Sequence, residues 1–172
     1  MKEKDNAKVN EQKKLIQELF STDENSVMKS IQFLRDKGGV FIVEPLIEVY
    51  FSTQYESVRD SVYNLICDLK DNKTADVFAN NIEKYSTREN FSKLLSAFWQ
   101  SSIKFSELLP FIKLFVKSDN LAAVEIFTIV EQNICNVSDE DKMKCDKLIT
   151  SKISELEGFK RDIAKEILVM LK

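Results

Sequence analysis

The sequence predicts an all-α fold built from about five stacked helical hairpins. Three observations predict it. Residues 20–27 read FSTDENSV and residues 51–58 read FSTQYESV, so the chain repeats itself at a shift of 31 residues. Val58, Ser61, Val62, Leu65 and Leu69 fall at i, i+3, i+4, i+7 and i+11, which is one face of an α-helix. No strand-like alternation and no long linker interrupts the 172 residues. A lone hairpin cannot bury its own apolar face, so the hairpins must stack on one continuous core.

Taken in order, residues 1–8 read as a disordered, frayed tail and residues 9–172 as a single domain. The first hairpin spans about 9–37, with Leu15, Ile16 and Leu19 on its first helix and Val27, Ile31 and Leu34 on its second. The second spans 39–71, with Leu46, Ile47 and Val49 ahead of the Val58 face. The third, 73–103, carries a weaker echo at Tyr85-Ser86-Thr87, then Phe91, Leu94, Leu95 and Phe98. In the fourth, 105–136, PFIKLF at 110–115 aligns with PLIEVY at 45–50. Its faces are Leu109, Ile112 and Leu114, then Ile126, Phe127, Val130 and Ile134. The fifth spans 138–172.

Turn chemistry marks the same boundaries. Thr53 with Glu56 has the spacing of a capping box, and Thr22, Thr87 and Ser118 sit at comparable starts. Ser138-Asp139-Glu140-Asp141 opens the fifth hairpin, where a hydroxyl caps and negative charge suits the helix dipole. These acids are expected to be a solvated cap, because no calcium-loop spacing follows them. Gly38-Gly39 and Gly158 mark helix ends, where a left-handed residue is wanted. The last helix closes on five consecutive apolar residues, Ile167 to Leu171. One helix cannot point all five inward, which predicts a weak homodimer through the C-terminal hairpin.

The stretch VEPLIEVYFSTQYESVRDSVYNLICDL, residues 43–69, resembles a HEAT repeat of the armadillo-like helical class. Pro45 stands for that pattern's proline, Gln54 occupies its turn aspartate, and Val58-Arg59 matches its Val-Arg pair. The fourth copy keeps Pro110 and Asp119 but has Ala123-Val124, and the first keeps Asp23 and Val27 but has Met28. Tetratricopeptide repeats have hairpins of similar length, but their small-residue and late-proline positions are not recognisable here. The resemblance implies a short right-handed α-solenoid and a non-catalytic protein-interaction scaffold or adaptor. Its alternative, carried by other members of the class, is a HEAT-like nucleic-acid-binding protein or a DNA glycosylase-type enzyme.

Composition narrows the chemistry. The chain has no histidine, which excludes histidine-dependent triads and zincin-type zinc sites. Its three glycines lack the spacing of a phosphate loop or a dinucleotide fingerprint. No cofactor and no stoichiometric zinc or nucleotide is therefore expected. Cys67, Cys135 and Cys145 form no CxxC pair and are odd in number, which fits a reducing, cytoplasmic setting. Residues 1–14 have no apolar signal core, and no run approaches a membrane span. Only four arginines occur in a net charge of −3, so no basic stripe for nucleic acid is expected.

The resemblance also places the working surface, because second helices line the concave side of such arrays. Opposite the core face the wheel puts Lys29, Gln32 and Asp36 in the first hairpin, and Asp60, Tyr63, Asn64 and Cys67 in the second. The third contributes Lys93, Ser96 and Gln100, and the fourth Glu125, Thr128 and Gln132. This mixture of both charge signs, amides and one phenol suits a peptide or a polar protein surface. Tyr63 is the expected anchor, because an amphipathic ring orders cheaply and buries much area. Trp99 and the phenylalanines are expected to pack between repeats, with Tyr55 and Tyr63 nearer the surface.

Overall fold

The computed structural model describes residues 13–37 and 39–172. The expected tail, the start of the first hairpin and Gly38 lie outside those residues. Among the described residues all regular structure is helical. Residues 13–19 (α1) precede α2 (Glu24–Lys37). Then come α3 (Val43–Ser52) and α4 (Glu56–Cys67), α5 (Lys73–Asn81) and α6 (Phe91–Gln100). They are followed by α7 (Leu109–Lys117) and α8 (Asn120–Asn133), then α9 (Asp139–Lys152) and α10 (Gly158–Met170). Short 3₁₀ turns prolong α5, α8 and α9.

The helices pack in two rows. α2 lies on α4, α4 on α6, α6 on α8 and α8 on α10, while α3, α5, α7 and α9 form the other row. α3 packs on α4, α7 on α8, and α9 on α10 across the rows. The core lies between them. Val27, Ile31 and Leu34, then Val58, Val62 and Leu65, then Leu94, Leu95 and Phe98, then Ile126 and Val130 are all buried, as their spacing predicts. Leu69 is only half-buried, because α4 has already ended at Cys67. Phe78 stacks on Phe98, and Phe105 meets Phe111 edge-on at 4.6 Å between centroids. These rings join both rows at the middle of the molecule.

Several helix starts differ from the sequence expectation. Thr53 Oγ1 accepts from the Tyr55 N–H at 3.2 Å, closing a turn before α4 rather than capping it. Beside Thr22 and Ser118 it is the neighbouring aspartate that caps. Asp23 accepts from the Ser26 N–H at 2.9 Å, and Asp119 from the Ala122 N–H at 2.8 Å. The Ser26 hydroxyl and N–H hold the Asp23 carboxyl below its ordinary range. α6 starts not from Thr87 but from Asn90, in the left-handed region at φ 63°. Ser138 does cap α9, accepting from Asp141 N–H at 3.1 Å. Gly39 is extended, at φ −158°. Gly158 is left-handed, at φ 50°, but it opens α10 rather than ending α9.

Basic side chains close the helix ends. Arg59 on α4 donates to the carbonyls of Tyr50 at 3.3 Å and Thr53 at 2.9 Å, at the end of α3. Arg161 does the same for Leu156 and Ser154 beyond α9. Arg88 reaches Phe51 O at 3.0 Å in the preceding hairpin, and Lys160 reaches Val116 O and Ser118 O at 3.1 and 2.6 Å. A cation at a helix C-terminus pairs orphan carbonyls and opposes the dipole.

The connection from α6 to α7 is pinned by side chains from three other segments. Asn72 accepts from Lys104 N–H, Asn133 from Phe105 N–H and Asp141 from Leu108 N–H, all between 2.7 and 2.9 Å. Asp141 is therefore not a solvated cap. It is buried against the start of α7, because α9 packs on that helix.

Val62 sits at the centre of the α4 face and is fully buried. Val62→Asp places an unpaired charge in the core, a cost of several kcal/mol against a typical total stability of about 5–15 kcal/mol. Circular dichroism should show that variant unfolded at 25 °C. A melting curve unchanged from wild type would overturn the α4 register.

Candidate functional site

Because α2, α4, α6 and α8 lie side by side with their apolar faces turned to the core, their polar faces line up outward. The tightest cluster bridges α4 and α6. Lys93 Nζ donates to Asp60 Oδ1 at 2.8 Å. The Tyr63 hydroxyl meets Ser96 Oγ at 3.0 Å and accepts from Gln100 Nε2 at 2.6 Å. The Lys93 ammonium lies 5.6 Å from the Tyr63 ring centroid, within cation–π range. Asp60–Lys93 and Tyr63–Ser96 are both 33 residues apart, as are Arg35–Asp68 and Glu24–Ser57 between α2 and α4. The same 33-residue spacing thus links α2 to α4 and α4 to α6.

The ladder continues in both directions. Toward the C-terminus, Glu125 accepts from Trp99 Nε1 at 2.6 Å, so the half-buried indole bridges α6 and α8. Thr128 turns its hydroxyl back to Val124 O, and Gln132 is exposed. Toward the N-terminus, Lys29 and Gln32 are exposed and line a shallow groove of about 300 Å³ between α2 and α4. Asn64 is exposed on α4. The Asp36 side chain lies outside the described residues. Cys67 is half-buried, and burial pushes its thiol up while the Tyr63 hydroxyl pulls it back.

Four features escaped the sequence reading. The Trp99–Glu125 bond depends on how α6 meets α8. Arg59 was readable as half of a Val-Arg pair but not as the clamp on α3. Cys145 is fully buried, its thiol pushed up to about 12 by burial and by the neighbouring Asp141 carboxylate. The groove on α2 exists only because Ser61 comes to face Met28 across two helices.

Chemically the face offers hydroxyls, amides and alternating charges, which pair well with a peptide backbone and polar side chains. Among the described residues no cluster of three or more carboxylates and thiols could hold a metal ion. Among the same residues no helix is long and apolar enough to cross a membrane. No protein-family model, no curated protein and no solved structure matches the chain.

Proposed function

We propose that the chain is a non-catalytic protein-interaction module, a short right-handed solenoid of HEAT-like hairpins that binds a peptide or polar protein surface along its second helices. One observation carries this reading: polar residues from successive hairpins meet in register on one face, through Asp60–Lys93 and Tyr63–Ser96–Gln100. Such a shelf presents fixed donors and acceptors with little side-chain entropy left to lose on binding. Its cations are poorly placed for phosphate. Arg59, Arg88 and Arg161 are held on backbone carbonyls, and Arg35 is paired with Asp68. Unpaired thiols, one of them buried, fit a reducing compartment such as the cytoplasm.

A second surface favours self-association. Met143 is 56% and Val169 67% exposed on the last hairpin, and Met143 and Leu171 line a groove of about 480 Å³ beside the C-terminus. Exposed apolar side chains grouped on one hairpin mark an interaction surface. Light scattering should therefore detect a monomer–dimer equilibrium that Val169→Glu weakens. A strict monomer at millimolar concentration would remove this second surface.

The main reading is tested by Tyr63→Ala combined with Lys93→Glu, with a peptide selected on the protein from a random library as the probe. The double variant should weaken binding by at least about 1 kcal/mol. Full affinity in the double variant would move the site away from the second-helix row.

A further inference from the structure

The ladder is not uniform, and its first two hairpins hold a cavity. The groove between α2 and α4 has a floor of buried Ile31 and half-buried Met28. Gln32 and Ser61 stand at its wall as hydrogen-bonding groups. Two cationic side chains line it, Lys29 and Arg35, and among the described residues no carboxylate does. Of the nearby acids, Asp60 pairs with Lys93 and Asp68 with Arg35, while Asp23 accepts from Ser26 and stays within electrostatic reach of Lys29. Arg35 is thereby half-neutralised, whereas Lys29 is exposed and makes no ion pair among the described residues.

We infer that this groove is the specificity pocket of the interaction face, and that it takes an acidic side chain of a peptide segment flanked by an apolar residue. The inference rests on the peptide-binding reading above and adds the partner's chemistry to it. A carboxylate entering beside Lys29 meets an exposed ammonium that makes no direct ion pair among the described residues, at the edge of an apolar floor. Its methylenes and the neighbouring apolar side chain cover Met28 and Ile31. Gln32 and Ser61 are then free to pair with the segment's backbone. A basic side chain would instead meet the Lys29 ammonium, so the groove discriminates by repulsion as well as by attraction.

The test is selection from a phage-displayed library of random dodecapeptides on the full chain, repeated on Lys29→Glu. Lys113→Glu on α7, an exposed lysine of the other row, serves as the charge control. Wild type should enrich Asp or Glu next to an apolar residue. Those peptides should bind Lys29→Glu at least tenfold more weakly and Lys113→Glu equally well. Selection on Lys29→Glu should turn toward Lys or Arg, which only direct contact produces. Peptides that depend on Tyr63 yet show no acidic preference would overturn the pocket and leave the wider face standing. Peptides indifferent to both Lys29→Glu and Tyr63→Ala, or no enrichment at all, would overturn both.

Discussion

No hairpin of this chain can bury its own apolar face, and everything else in the molecule depends on that constraint. Val62 and Leu65 on α4 and Leu94 and Leu95 on α6 are dry only because neighbouring helices cover them. Close packing leaves little freedom to slide, since a shift of one residue would open cavities along the row. The core therefore fixes the register between hairpins. That register in turn brings Lys93 to Asp60 and Ser96 to Tyr63 on the opposite face. The outer ladder is a consequence of inner packing rather than a separate invention.

Stacking also exposes helix ends to one another, and backbone groups there need partners. Three of the four arginines, with Lys160, close helix C-termini. Asn72, Asn133 and Asp141 close the amides of the α6–α7 connection. Those four long cations are thus committed to architecture. Lys29 faces an open groove instead of a carbonyl.

The pattern of apolar residues made the all-helical class and most of the core legible. The sequence aligns Asp60 with Lys93 and Tyr63 with Ser96 as equivalent positions, but that they bond follows from how α4 meets α6. Capping was not legible. Thr22 stands beside Asp23 and Ser118 beside Asp119, and each member of those pairs can cap a helix. Only backbone geometry chooses, and it chose the aspartates. Asp141 could not be told from Asp139 by sequence, since its burial follows from α9 packing on the start of α7. The groove beside Lys29 likewise needs two helices in contact before it exists.

Native-state hydrogen exchange tests the shared core most directly. The slowest amides of α4, α6 and α8 should open with one common free energy and one common denaturant dependence, because none of these helices keeps a dry face without its neighbours. If α4 amides remained protected under conditions that fully opened α8, each hairpin would own its core, and the register that aligns the outer ladder would lose its physical cause.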